Sequence, residues 1–268
     1  MTIGGRRPAA YARWLALAVP LIAAPIPAAS ADAPAGARRS GFEYMGAATQ
    51  AMQRDDAQNP AMLWVAEGEA AWRRTDGGVE RPCADCHGEA RTSMRGVAAR
   101  YPSIDAASGR PVTLAQRIAS CRVERQRGDA WAPESEPLVS LEAYVALQSR
   151  GLPIAPPADA RLAAARARGE ALFHRRVGAL DLACAQCHED LAGRKLGGST
   201  IPQAHPTGYP VYRLEWQSVG TLERRIRGCY AGVRARPPAF GAPDLVDLQV
   251  YLAARAAGMP LESPGVRP

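Results

Sequence analysis

Apolar and small side chains recur at intervals of three and four through "AMLWVAEGEAAW" (residues 61–72) and again through "ARLAAARARGEALF" (residues 160–173). That period turns one face of a helix toward a core. A second helical stretch follows each of them, with Leu141, Tyr144 and Val145 on one side in the first case and Leu248, Tyr251 and Leu252 in the second. The abundance of alanine and arginine along the chain also favours helix. Between the helices lie irregular segments rich in Gly, Pro and Ser, such as "LAGRKLGGSTIPQAHPTGYP" (residues 191–210), which predict long loops rather than a second regular layer. The expected fold is all-α.

The pattern is duplicated. "GEAAWRR" from Gly68 pairs with "GEALFHRR" from Gly169, "TLAQRIASC" (113–121) aligns without a gap against "TLERRIRGC" (221–229), and "SLEAYVALQSRGLPI" from Ser140 corresponds to "DLQVYLAARAAGMPL" from Asp247. Such a correspondence marks a tandem duplication of one unit. Three prolines in "GLPIAPPADA" (151–160) mark the junction. Two units are therefore expected, residues 60–152 and 160–268, joined by a linker at 153–159 and preceded by an extension over 32–59.

Each unit holds a C-x-x-C-H motif, "CADCH" at Cys83, Cys86 and His87 and "CAQCH" at Cys184, Cys187 and His188. Two thiols at this spacing reach the two vinyl groups of one porphyrin, and the adjoining histidine offers its imidazole to the iron. The motifs predict two covalently bound haem c groups in two tandem c-type cytochrome domains, with the long loops wrapping the porphyrins. A buried porphyrin also supplies apolar surface to a chain with only three phenylalanines.

The ligand on the far face of each iron decides what that iron does. Methionine is the usual partner in electron carriers, but Met94 is too close to His87 in sequence to cross the ring, and Met259 stands where the first unit has Leu152. His174 lies in the helix before the second motif, and His205 has no counterpart in the first half. What does recur is a lone cysteine: Cys121 and Cys229 occupy equivalent positions, 34 and 41 residues after their haem histidines. Two roles are open for the pair. They are distal thiolates, which favours low potential and chemistry at sulfur, or they form a disulfide between the units, as an oxidising compartment allows.

At the N-terminus, Arg6, Arg7 and Arg13 flank the start of "WLALAVPLIAAPIPAA", and Ala29-Ser30-Ala31 offers a small-x-small cleavage site. Residues 1–31 are expected to be a cleaved signal peptide that directs the chain to the periplasm. The apolar run is short and broken by proline, so no stable membrane insertion is expected. Its removal takes three arginines and no acids, lowering the formal charge from +7 to +4. That mild balance, without a basic stripe interleaved with aromatics, argues against nucleic acid as a partner. The remaining bases are uneven: Arg194, Lys195, Arg213, Arg224, Arg225, Arg227, Arg234 and Arg236 fall in the second half, as a solvated face or as a field drawing a small anion.

Four segments carry a family resemblance. "MQRDDAQNPAMLWVAEGEAAW" (52–72), "CHEDLAGRKLGG" (187–198), "YPVYRLEWQS" (209–218) and "RRIRGCYAGVRA" (224–235) resemble SoxA, the larger subunit of the SoxAX cytochromes of bacterial thiosulfate oxidation, in its dihaem form. The similarity runs from about Gly41 to the C-terminus. It implies an L-cysteine S-thiosulfotransferase that joins thiosulfate oxidatively to a cysteine on the C-terminal arm of the carrier SoxYZ. The electrons then pass through the haem of SoxX, partner in a heterodimer, to a small cytochrome c. By position, Cys229 matches the family's active-site cysteine, a ligand of the second haem that can carry an extra sulfur as a persulfide, which makes the second unit catalytic. Arg225 matches its substrate-binding arginine, and Cys121 matches the distal ligand of the first haem.

The residue chemistry is compatible with this. Arg225 and Cys229 are four apart and share a helix face, so a guanidinium can hold sulfonate oxygens while the sulfur meets the terminal sulfur of thiosulfate. Arg117 holds the same place before Cys121, while the second half adds Arg224 and Arg227. Two other classes compete: a dihaem electron carrier without its own activity, which calls for histidine and methionine ligation, and a dihaem peroxidase with one vacant or histidine-closed iron.

Overall fold

The computed structural model describes residues 1–2, 37–75 and 81–268, so the expected signal peptide, beyond Met1 and Thr2, lies outside the described residues. A 3-10 turn (Gly41–Tyr44) and α1 (Ala47–Arg54) lead into α2 (Ala61–Arg73), the motif helix α3 (Cys83–His87) and α4 (Ala90–Ser93). A hairpin, β1 (Ser103–Ile104) and β2 (Pro111–Val112), precedes α5 (Leu114–Glu124) and α6 (Glu136–Leu147). The second half opens with α7 (Ala160–His174), a π-helical turn (Gln186–Asp190) and the hairpin β3 (Lys195–Leu196) and β4 (Ser199–Thr200). It continues through β5 (Val211–Arg213), β6 (Ser218–Gly220), α8 (Leu222–Gly232), α9 (Pro243–Arg255) and β7 (Gly265–Arg267). The fold is mostly helical, and the short strands fall within segments read from sequence as loops.

Each half is built on one close helix crossing, α2 on α6 and α7 on α9. A Cβ placed on Gly68 would lie 2.1 Å from the carbonyl oxygen of Ser140, and one on Gly169 would lie 2.0 Å from that of Asp247. Both crossings therefore bring backbone against backbone, at residues that the internal alignment pairs. One turn further on, Trp72 meets Tyr144 with ring centroids 6.0 Å apart, and Phe173 meets Tyr251 at 5.3 Å. Leu141 and Val145 complete the first core, and Leu248 and Leu252 the second, as the helical period predicts.

The hairpins correspond too. Ser103 pairs with Val112 and Ile104 with Pro111, while Val211 pairs with Gly220 and Tyr212 with Val219. A constant shift of 108 residues carries one register onto the other. The helices that follow, α5 and α8, each start at a threonine, Thr113 or Thr221, whose hydroxyl accepts the N–H of Gln116 or Arg224 at 3.2 Å. Each cap satisfies one of the orphan donors of a helix start.

The proline-rich junction is an ordered seam between the halves. Gly151 N–H donates to Leu261 O and Gly258 N–H to Ile154 O, both at 2.8 Å. Ile154 N–H donates to Met259 O and Leu261 N–H to Leu152 O, both at 2.9 Å. Exchanging the two halves maps this set of bonds onto itself, so the seam lies on a local two-fold. Residues 38–268 form a single unit. β5 pairs antiparallel with β6 and parallel with β7, and the segment before α2 is tied to that sheet: Asn59 Nδ2 donates to Pro264 O at 3.1 Å, and Val266 N–H donates to Gln53 Oε1 at 2.9 Å.

Candidate active site

The first motif is held from behind by α2. α3 stops at Gly88, whose φ of 66° belongs to the left-handed region open to glycine, and Trp72 Nε1–H donates to the Gly88 carbonyl at 3.0 Å. The Trp72 ring then lies 5.7 Å from that of His87. Met94, Val97, Tyr101, Ile118 and Trp131 pack with Cys83 around the same core. Cys121, on α5, acts electrostatically on Cys83 and is acted on by Cys86. Cys229, on α8, is coupled in the same way to Cys184 and Cys187. All six thiols are free. Each lone cysteine faces the motif of its own half, and the disulfide between halves is not formed.

In the second half the imidazole is aimed. His188 Nδ1 lies 2.6 Å from the Pro202 carbonyl, and because a carbonyl only accepts, Nδ1 carries the proton. Nε2 is left for its other partner, the Cys229 sulfur, with which His188 also forms a hydrogen bond. A tautomer fixed by a backbone carbonyl is the usual support of a metal-ligating histidine. With the thiols of Cys184 and Cys187 near Cys229, this donor set fits a c-type haem.

The two lone sulfurs differ in charge. Burial pushes the Cys229 thiol up, but the hydrogen bond with His188 and the positive charges of Arg225 and then Arg213 outweigh it and bring the thiol below its ordinary range. Arg225 shows the complementary shift: burial lowers it, while Cys229, Tyr209 and Glu215 raise it further, so that the net change is upward. In the first half burial, then Cys86, raises Cys121 beyond what Arg125 and Arg117 oppose. Cys83 and Cys184 are pushed up to about 11, chiefly by burial. Cys229, unlike Cys83, Cys121, Cys184 and Cys187, is shifted toward thiolate.

The hydrogen bond with His188, which Cys121 lacks, leads the difference, and the partners of the two helix arginines add to it. Arg117 is neutralised by Asp105, Nη2 to Oδ1 at 2.6 Å. The 108-residue shift carries Arg117 to Arg225, but it carries Asp105 to Arg213. Arg225 therefore lacks the direct carboxylate partner that Arg117 has at this position, and feels Cys229, Tyr209 and Glu215 instead. Arg224 and Arg227, the bases that the second half adds, serve elsewhere. Arg224 lies 4.1 Å over the Trp216 ring and donates to Ser218 Oγ at 3.1 Å. Arg227 lies 4.1 Å over Phe240 and donates to the Pro238 carbonyl. Arg194, Lys195, Arg234 and Arg236 are exposed, a solvated face.

The other ligand candidates have structural partners. His174 is exposed, with Nδ1 2.9 Å from Glu170 O and Nε2 3.3 Å from Glu189. His205 is buried, and its Nδ1 lies 2.7 Å from Arg39 O. Met259 is buried in the seam with Ile154, Ala256 and Leu261. Sequence reasoning missed Tyr209, which is half-buried and acted on by both Arg225 and Cys229. Its signal was present in the repeat, since Tyr101-Pro102 stands 108 residues before Tyr209-Pro210. Among the described residues no helix is long and apolar enough to cross a membrane.

Comparison with known proteins agrees with this geometry. A family model described as SoxA/TsdA, cytochrome c domain, matches residues 67–154 and 168–261. The L-cysteine S-thiosulfotransferase subunit SoxA of Rhodovulum sulfidophilum is 34% identical over 229 residues, 85% of this chain and 80% of that one. The subunit of the same name from Pseudaminobacter salicylatoxidans is 35% identical over the same shares. The crystal structure of SoxXA from P. pantotrophus is similar with a TM-score of 0.83 and 31% identity, covering 86% of this chain and 87% of that one. On these likenesses and on its two motif-bearing halves, the chain belongs to the SoxA/TsdA cytochrome c family, and within it to SoxA.

Proposed function

We propose that the protein acts as an L-cysteine S-thiosulfotransferase of the SoxA type, with Cys229 as its reacting sulfur and Arg225 as its substrate-binding cation. The observation that carries this reading is the Arg225–Cys229 pair: one turn of α8 presents a half-buried guanidinium beside a sulfur shifted toward thiolate. A thiolate is the nucleophilic form of cysteine. The guanidinium offers parallel N–H donors to sulfonate oxygens, which leaves the terminal sulfur of thiosulfate directed at Cys229.

The reaction joins the carrier's cysteine thiol to thiosulfate. A sulfur–sulfur bond forms, the S–H bond breaks, and one proton and two electrons leave. Bound haem supplies a one-electron acceptor beside the reacting sulfur. His188, its tautomer held by Pro202, and Cys229 would hold the iron of the second group, with Cys184 and Cys187 as thioether links. Cys83, Cys86, His87 and Cys121 would hold the first, giving two covalent haems. A persulfide on Cys229 belongs to the same reading.

The likeness to SoxXA supports a SoxX-type monohaem cytochrome as the heterodimer partner, and the relatives' L-cysteine S-thiosulfotransferase activity supports thiosulfate and a protein cysteine as substrates, the cysteine being that of a SoxYZ-type carrier. A small cytochrome c takes the electrons. The setting is the periplasm, reached by cleavage of residues 1–31. The units 60–152 and 160–268 serve as the two cytochrome domains, the second catalytic.

The test uses the complex with its partner cytochrome, the carrier, thiosulfate and ferricytochrome c. The expected result is a carrier heavier by one thiosulfate group for every two cytochromes reduced. Cytochrome reduction without any modified carrier would instead favour the plain electron carrier.

A further inference from the structure

The carbonyl that aims His188 belongs to a stretch that only the second half has. The haem motifs stand 101 residues apart and the Tyr-Pro pairs 108, so seven extra residues lie between His188 and Tyr209. This stretch carries the exposed β3–β4 hairpin, closed by Gly193 N–H to Ile201 O at 2.8 Å and Ile201 N–H to Arg194 O at 2.9 Å. Pro202 follows directly, in a run (201–206) that is neither helix nor strand. In the first half, His87 makes no comparable bond to a loop carbonyl among the described residues, and the Trp72 ring stands beside it instead.

A run with so few backbone bonds of its own stays in place only if other groups tie it down. The extension ahead of α1 does so. Arg39 N–H donates to Gln203 Oε1 at 2.7 Å, and the Nδ1–H of buried His205 donates to Arg39 O at 2.7 Å. A single residue of the extension thus grips the chain one and three positions beyond Pro202. The extension is itself anchored: Arg38 Nη1 donates to Ala257 O at 2.7 Å and to Arg255 O at 3.2 Å, past the end of α9, and Glu43 Oε1 accepts the N–H of buried Ser40 at 2.7 Å. Arg255 adds a second tie, joining Glu189, the neighbour of His188, to Gln203 O at 3.4 Å. The internal alignment puts Gln148 where the second half has Arg255, and it gives His205 no counterpart.

Resting on the reading of His188 as a ligand of the second haem, we propose that residues 38–43 are a strap that positions His188, with His205 as its positioning residue. The contacts run from Arg39 to Gln203 and His205, along the chain to Pro202, and from the Pro202 carbonyl to the Nδ1 proton of His188. A carbonyl bonded at Nδ1 raises the basicity of the imidazole as a ligand, which favours the oxidised iron. The strap therefore sets the electron affinity of one haem and leaves the other to its own half.

The experiment is a redox titration of the intact complex with its partner cytochrome, followed by absorbance and electron paramagnetic resonance. The second haem is the one whose ferric signal changes in Cys229→Ala. His205→Ala is expected to shift that signal and to raise the midpoint of that haem, while the midpoints of the first haem and of the partner stay in place. His205→Asn, which keeps a side-chain N–H for Arg39 O, should bring both back toward wild type. Gln203→Ala cuts the other strap bond without emptying a buried site and should raise the same midpoint, so poor folding of His205→Ala leaves the test intact. An unmoved midpoint in these variants, or an equal shift of every haem, would show that the strap only adds stability and would overturn the proposal. The two levels separate: a complex in which Cys229→Ala alters no haem signal refutes the ligand set proposed above, whereas a marked signal indifferent to both His205→Ala and Gln203→Ala refutes the strap alone.

Discussion

Arg225 and Cys229 sit one turn apart on α8, and each shifts the other's proton equilibrium toward the charged form. Arg117 and Cys121 have the same spacing on α5, but there the arginine is bound to Asp105 and the thiol is shifted the other way. Identical local sequence spacing thus produces two different sulfurs.

Cys229→Ala should abolish thiosulfate-dependent cytochrome reduction while both haems stay covalently attached, because Cys184 and Cys187 are untouched. Haem staining of a denaturing gel together with the cytochrome assay checks both halves of this expectation. Cys121→Ala should retain conjugation. Intact-mass spectra of the wild-type protein should show a form heavier by one sulfur that the Cys229→Ala variant lacks.

Arg225→Gln removes a charged contact to the substrate without adding a carboxylate or a cavity. The expected loss is about 1.5–3 kcal/mol in kcat/KM, the worth of a hydrogen bond to a charged group, borne mainly by KM. Arg117→Gln, in the neutralised copy, should leave KM for thiosulfate where it is. Steady-state kinetics on the two variants side by side distinguishes them.

Gly169→Ala and Gly68→Ala test the helix crossings. On an exposed helix this change stabilises by about 1 kcal/mol, but here the new methyl would lie 2.0 Å or 2.1 Å from a backbone oxygen. Forcing the helices apart is expected to cost about 1–3 kcal/mol or more, read as a lowered denaturant midpoint. A neutral or stabilising result would mean that the crossings are looser than described.

Glu142 gives a pH dependence to the seam between halves. Its Oε2 is sealed from solvent and lacks a hydrogen-bond partner among the described residues. Burial, with Glu134 and Glu223 nearby, pushes the carboxyl from its ordinary 4.5 up to about 8. Glu134 is itself relieved by Thr221, Arg224 and Arg227, and Glu223 by the Gly241 N–H and Arg227. The folded chain holds the Glu142 proton more tightly than the unfolded chain does. Its contribution is therefore fully present below pH 4.5 and is lost as pH rises through about 8. Glu142→Gln, which copies its two-fold mate Gln249, should remove that loss. The stability advantage of the variant over wild type is expected to grow from about pH 5 to about pH 9 in urea titrations.

Much of the molecule was legible before any coordinates. The helical period identified α2, α6, α7 and α9, because a 3.6-residue repeat of apolar positions has few other physical solutions. The duplication paired Gly68 with Gly169 and Thr113 with Thr221, and the structure places each pair in equivalent crossings and caps. The short strands escaped notice, since two- and three-residue pairings leave no alternation to read. The seam at Gly151–Ile154 was read as a linker because proline signals only where helix stops, not what the extended chain will pair with.

By itself the sequence determined the helical class, the two haem-attachment motifs, the tandem repeat and the equivalence of Cys121 with Cys229. These are local or self-referential properties, carried by spacing within one stretch or by likeness between two. Only the tertiary structure decided which arginines belong to the site, that Arg224 and Arg227 are spent on aromatic rings and backbone, and that Asp105 neutralises Arg117 while Arg213 pairs with Glu215. The physical reason is that charge acts through space: a sulfur's protonation depends on every charged group within a few ångströms, and those groups arrive from a hairpin, a helix and a haem-motif turn that the linear chain keeps apart.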